Sequence, residues 1–255
     1  MTIRILALAA TAALALGTSA QAAEVRVLAS NAMKTVLEEL GPQFEKSSEH
    51  KLTLVFGTAA ALKAEIEKGS AVDVALLTDG GVNDLVKQGK LASAAPLAGS
   101  GAGVAIKKGA AKPDLSSTEA FKKTLLNAKS IAHPDPKGGG FTGAHIDRMF
   151  ERLSIADAVR PKVLLGYAFT GGVANIAKGV AEIGIFNISE IVPIKGVTLV
   201  GPLPAEFQNY LVFSGALHAR GAAPGPAAAY LRSLTDPAVQ EAWKAGGMEA
   251  VVPGQ

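Results

Sequence analysis

Three features of the 255-residue sequence predict an α/β fold of two lobes, each a mostly parallel sheet flanked by helices, with a cleft between them. Short apolar runs alternate with stretches of helical period, as expected of β–α units around a parallel sheet. Two passages rich in Gly, Ala, Ser and Pro, 92–101 and 200–204, break the alternation and read as crossings between two blocks. A composition of 49% hydrophobic and 18% charged residues, with a net charge of +3, excludes a disordered chain.

The elements follow in order. Val25–Ala29 is a short apolar run with Arg26 inside it, ending at Ser30-Asn31. Met33, Val36, Leu37, Leu40 and Phe44 then recur at helical spacing. The unit repeats as strand Leu52–Phe56, turn Gly57-Thr58 and helix 59–68. It repeats again as strand Val74–Leu77, turn Thr78-Asp79-Gly80-Gly81 and helix 82–88. Beyond the first crossing, strands are expected near 103–106, 130–132, 163–167 and 183–186, alternating with helices near 118–127, 143–153 and 172–178. After the second crossing, 209–213 reads as a strand, and two helices near 226–234 and 237–245 close the chain, with Trp243 and Val239 on a core face. Two lobes joined by two crossings leave a cleft, where ligand sites tend to lie.

Arg4, the apolar run Ile5–Leu16 with Thr11 inside it, and Ala20-Gln21-Ala22 have the form of a secretory signal with a small-x-small cleavage site. About twelve residues of helix rise about 18 Å, too short for a hydrocarbon core of about 30 Å. The expected division is signal peptide 1–22, a discontinuous first lobe of 23–98 and 204–255, and a second lobe of 99–203. With 25 basic against 22 acidic residues, nothing favours nucleic-acid binding. The absence of cysteine excludes a disulfide scaffold, a thiol nucleophile and a cysteine metal site.

Ligands of open parallel sheets sit beyond the carboxyl ends of the strands. Here those ends carry Ser30-Asn31, Gly57-Thr58, the run Gly138–Gly143 with Phe141 and Thr142, Thr170-Gly171-Gly172, and Asn187-Ile188-Ser189. Ser, Thr and Asn are also the ordinary N-caps, so one such turn means little. The first helical turns add weight. Helix N-termini favour Asp and Glu, yet the helices starting at Ala32, Ala59, Ala144 and Val173 carry none there. Free N–H groups and hydroxyls without competing carboxylates suit an anion. The Gly-rich loop is not a P-loop, because Gly143 is followed by Ala144 rather than Lys. His50, His133, His145 and His218 form no zinc-helix spacing, no Gly-x-Ser-x-Gly elbow occurs, and no enzyme, cofactor or metal site is expected. His133 and His145 read as structural.

The chain from Glu24 to about Val252 resembles the molybdate-binding proteins of ABC importers, within the two-lobed type II periplasmic solute-binding fold. The resemblance rests on the run Val27–Leu40 followed by Pro42–Lys46, on Val55–Leu62, on Glu67–Val74, on Asp135-Pro136 with the Gly-rich loop, and on Gly184–Glu190. It implies a periplasmic monomer that grips a small anion, a molybdate- or tungstate-like oxyanion, and passes it to a membrane permease. It further implies hydroxyl donors at Ser30 and Thr58 and backbone donors near Phe141 or Thr142 and at Val173. Asn187 stands where the family has a binding tyrosine, and Asn31-Ala32-Met33 where it usually has Ala-Ser-Leu. Asn187 in place of the tyrosine, with the run Gly138–Gly140 removing side-chain bulk from the opposite wall, points to a roomier cavity, with Phe141 offering an apolar surface, and so to a di- or tricarboxylate as the alternative ligand. A secreted enzyme on the same fold, and a sensor or adhesin-like binding protein without transport, are the remaining alternatives. The expected ligand residues are Ser30, Asn31, Thr58, Phe141, Thr142, Val173 and Asn187.

Overall fold

A computed structural model of the protein describes residues 22–138, 141–166 and 172–251. Most of the expected signal segment, 1–21, lies outside them, as do Gly139, Gly140 and residues 167–171. The chain opens with β1 (Glu24–Ser30), α1 (Lys34–Ser48), β2 (Lys51–Gly57), α2 (Ala59–Glu67), β3 (Val74–Thr78) and α3 (Asp79–Lys87). These are the three predicted β–α units. β1 pairs in parallel with β2 on one side and β3 on the other. Alternate side chains of β1 and β3 face opposite ways. Val25, Val27, Val74 and Leu76 pack in one core with Val36, Leu37 and Leu40 of α1, and Leu28, Ala75 and Leu77 in another with Leu62, Ile66, Val82 and Leu85 of α2 and α3. Both faces of the sheet are therefore dry.

The next element departs from expectation. Residues 92–101 read as an irregular crossing, but β4 (Ala95–Lys107) is one long strand. Its small residues mark close approach rather than a loop. A Cβ on Gly99 would lie 2.3 Å from the Tyr210 ring, and one on Gly103 would lie 2.8 Å from Ile188. Then come α4 (Thr118–Asn127), β5 (Ile131–His133), α5 (Phe141–Arg152), α6 (Ala156–Val159), β6 (Val163–Leu165), α7 (Gly172–Lys178), β7 (Ile183–Asn187) and α8 (Ile188–Ile191). β8 (Val197–Pro202) covers most of the second passage read as irregular; among the described residues it pairs with β4 alone, and an edge strand tolerates its Pro202. The chain ends in β9 (Tyr210–Leu217), α9 (Pro224–Ser233), α10 (Gln240–Ala245) and the short β10 (Glu249–Ala250). Trp243 is buried with Val239 packed against the same core, as its spacing predicts.

Among the described residues the strands form one sheet, ordered β2-β1-β3-β9-β4-β7-β5-β6, with β8 and β10 also on β4. Parallel pairing is confined to the two ends, β2-β1-β3 and β7-β5-β6. The centre is antiparallel, because β9 and β4 carry the chain back and forth between the lobes. Each lobe thus has its parallel set of strands, and the antiparallel centre joining them has a plain cause: a strand that passes between lobes inserts against its neighbours' direction. β4 pairs with β9 up to Gly101 and with β7 and β8 from Ala102 onward, with register shifts between Pro96 and Ala98 and between Val104 and Ala105. Beyond Ala102 a second pair of cores covers both faces of β4, β5 and β7: Phe121, Leu125, Ile146 and Met149 on one side, Val173, Ile176 and Ile191 on the other.

Candidate functional site

Ser30 ends β1 opposite Gly57 of β2, so Ser30 and Gly57-Thr58 share one edge of the first lobe. The Thr58 hydroxyl oxygen caps α2, accepting from the Ala61 N–H at 3.3 Å. A capping hydroxyl accepts with a lone pair and keeps its own hydrogen to donate outward. Ser30 is nearly buried and makes no cap bond to the 3₁₀ turn Asn31–Met33 that follows it. Asn31, the first residue of that turn, is half-buried. α8 of the second lobe packs on this same turn, bringing the end of β7 to the end of β1.

In the second lobe Asn187 ends β7 and Thr142 sits in the first turn of α5, both buried. The Thr142 hydroxyl donates to Asn187 Oδ1 at 2.9 Å, and Asn187 Nδ2 donates to Glu190 Oε2 at 3.2 Å. The bonds leave Asn187 one free N–H and commit the Thr142 hydrogen, so Thr142 can offer an anion only its backbone N–H. Val173 lies in the first turn of α7, its side chain in the core with Ile176 and Phe186. α7 packs on β4, β5, β7 and β8. Phe141 opens α5, but its side chain lies outside the described part. The geometry therefore joins Ser30 to Thr58, Asn31 to α8, and Thr142 to Asn187, while among the described residues no hydrogen bond ties Val173 to the others.

Glu190 escaped the sequence reading as a site residue. Its carboxyl accepts from Asn187 through both the backbone and the side-chain N–H, the reciprocal half of a capping box. The signal was present, an Asn followed three residues later by Glu after a wholly apolar strand. Burial pushes this carboxyl up to about 7, and the two Asn187 hydrogen bonds only partly oppose it. Glu190 is thus an acid that holds its proton into the neutral range. Asp79, after the end of β3, is spent on the scaffold, accepting from Ser214 at 2.6 Å and Asn83 at 2.8 Å. His133 Nδ1 bonds the Pro134 carbonyl, its Nε2 lies 3.6 Å from Asp147 without a hydrogen bond, and burial lowers its pKa, while His145 Nε2 bonds the Phe207 carbonyl. Among the described residues no cluster of His, Asp or Glu could hold a metal ion, and no helix is long and apolar enough to cross a membrane.

Comparison with known proteins gives this geometry its context. The family described as "Bacterial extracellular solute-binding protein" matches residues 25–249. An aconitate isomerase from a Pseudomonas species is 29% identical over 233 residues, covering 88% of this chain and 87% of that one. The molybdate-binding protein ModA of Azotobacter vinelandii is 27% identical over 182 residues, 69% of each chain. Among solved structures, the A. vinelandii periplasmic molybdate-binding protein superposes with a TM-score of 0.70 at 21% identity, over 90% of this chain and 99% of its own. The sulfate-binding protein SubI of Mycobacterium tuberculosis gives 0.69 at 16% identity, over 91% and 88%.

Proposed function

The chain belongs to the bacterial extracellular solute-binding proteins, and from that membership we propose that it captures a small polycarboxylate anion between its lobes for the permease of an ABC importer. The proposal includes export through segment 1–22 to the periplasm, lobes of 23–98 with 204–255 and of 99–203, a monomer, and no cofactor. The ligand contacts are Ser30, Asn31 and Thr58 from one lobe and Phe141, Thr142, Val173 and Asn187 from the other.

The observation that carries the choice of ligand is the chain Thr142–Asn187–Glu190. A tetrahedral oxyanion needs several donors converging on a small sphere, each at about 2.7–2.9 Å. The side chains of this wall supply one amide hydrogen, because the Thr142 hydroxyl hydrogen and the other Asn187 hydrogens are already committed, which leaves backbone N–H groups such as that of Thr142 as the remaining donors. An extended polycarboxylate asks less at each point, since its carboxylates can reach separate donors on the two lobes. The relative named an aconitate isomerase, which aligns over more of the chain than the molybdate binder does, supports the same ligand class. A thermal-shift and calorimetric panel of molybdate, sulfate, fumarate, tricarballylate and the two aconitate isomers tests it. A ligand at 100 times its Kd adds about 2.7 kcal/mol of stability. Tight molybdate binding with no response to any carboxylate overturns the proposal.

One observation favours a second reading, a secreted isomerase of an unsaturated tricarboxylate. An acid poised near neutral pH suits proton transfer at a substrate carbon, and Glu190 is such an acid beside the candidate site. Proton NMR of cis-aconitate incubated with the protein would show a new vinyl signal; an unchanged spectrum removes this reading.

A further inference from the structure

Resting on the reading that Asn187 lines the ligand site, we infer that Glu190 sets the charge this site accepts: the anion enters together with one proton, which the Glu190 carboxyl carries. The geometry is that of one amide with two hydrogens. One Asn187 Nδ2 hydrogen goes to Glu190 Oε2, and the other is left for a ligand. Two acceptors on the same amide nitrogen lie about 5 Å apart when each bond is of ordinary length. A ligand carboxylate held by Asn187 therefore sits about 5 Å from a second, half-buried carboxyl, close enough for two negative charges to repel.

Among the described residues nothing in the surroundings neutralises that repulsion. α8 packs against β4, β7, β8, the turn Asn31–Met33 and the turn at Gly247. Beside the last, Lys244 pairs with Glu241 at 2.8 Å and Glu249 accepts from the Tyr210 hydroxyl at 3.1 Å. β7, β8 and the turn Asn31–Met33 hold no ionisable side chain, and β4 holds only Lys107, at its far end. Of the lysines flanking these elements, Lys108 follows β4 beyond Lys107, Lys195 follows α8 in the chain, and Lys34 pairs with Glu38 at 3.5 Å and lies over the Phe56 ring. The influences on the Glu190 carboxyl are burial and its two bonds from Asn187, with no cation among them. The proton is the available counter-charge, and burial already keeps it bound to about pH 7. Capping alone would not require an acid, because a glutamine carbonyl accepts the same hydrogen bonds.

The test is calorimetry of the full protein with tricarballylate between about pH 6 and pH 8, in two buffers of different ionisation heat. Tricarballylate has no double bond, so turnover cannot imitate binding. Proton uptake should rise toward one per ligand above about pH 7, while affinity falls toward tenfold per pH unit. Glu190→Gln should bind with no proton uptake and a flat pH profile. Should that variant fail to fold, the two-buffer comparison on the native protein decides alone. Native protein that binds tricarballylate without proton uptake overturns this inference and leaves the proposed function standing. Binding of molybdate alone overturns the polycarboxylate reading, and the uptake measured with molybdate then decides the role of Glu190 by itself. Binding of neither overturns both.

Discussion

Ser30 and Thr58 stand at the ends of neighbouring parallel strands but differ in what holds them. Thr58 caps α2 while Ser30 makes no cap bond. Thr58→Ala should therefore raise the ligand Kd and also cost about 1 kcal/mol of stability, whereas Ser30→Ala should raise Kd alone. Each lost hydroxyl is worth about 0.5–1.5 kcal/mol of binding. Calorimetry beside urea denaturation separates the two effects, and an unchanged Kd in the double variant would remove this edge from the site. Glu190 makes a third prediction at the same scale. Its carboxyl lies above the unfolded value in the folded state, so the native protein binds more protons than the unfolded chain between about pH 4.5 and 7. The native state is then penalised progressively as pH rises through that window. Glu190→Gln should match the native protein near pH 5 and exceed it at pH 8 by on the order of 1–3 kcal/mol, read from denaturation midpoints.

At the scale of elements, three segments far apart in sequence meet at one hydroxyl. Ser100 of β4 donates to the Gly247 carbonyl at 3.1 Å and accepts from the Ser189 N–H of α8 at 3.2 Å. Gly247 holds a positive φ of 75°, and a Cβ there would lie 2.9 Å from Val192 and 3.0 Å from the Ile188 carbonyl, so the turn before β10 sits directly on α8. Ser100 is 2% exposed, and its loss strands two buried backbone groups. Ser100→Ala should cost about 2–3 kcal/mol, while Ser100→Thr should restore part of it, both measured by chemical denaturation. None of this was legible from local pattern. The period-two and period-3.6 runs located the β–α units of both lobes, yet Ser100 lay in a stretch whose small residues look like loop until the Tyr210 ring is laid over Gly99.

For the whole molecule, the two lobes share a continuous sheet through β4, and the strand shifts register between Pro96 and Ala98 and again between Val104 and Ala105. Bulges of this kind let a strand bend without giving up its pairing. Closure of the lobes over a ligand should therefore hinge at these two places, within strand rather than within loop. Solution scattering with and without a saturating ligand checks it: the radius of gyration should fall on binding, and identical values at proven saturation would mean a rigid cleft.

The sequence by itself determined the alternation of strands and helices, the family, and the polar strand ends at Ser30, Thr58 and Asn187. Those properties are written in local periodicity and in the residue types that turns demand. Only the tertiary structure decided that the crossings are paired strands and that the centre of the sheet runs antiparallel. It alone showed that the Thr142 hydrogen is spent on Asn187, and that Glu190 lies in a place that holds its proton. These outcomes depend on which distant groups share a hydrogen bond and how much water reaches them. No window of neighbouring residues contains that information.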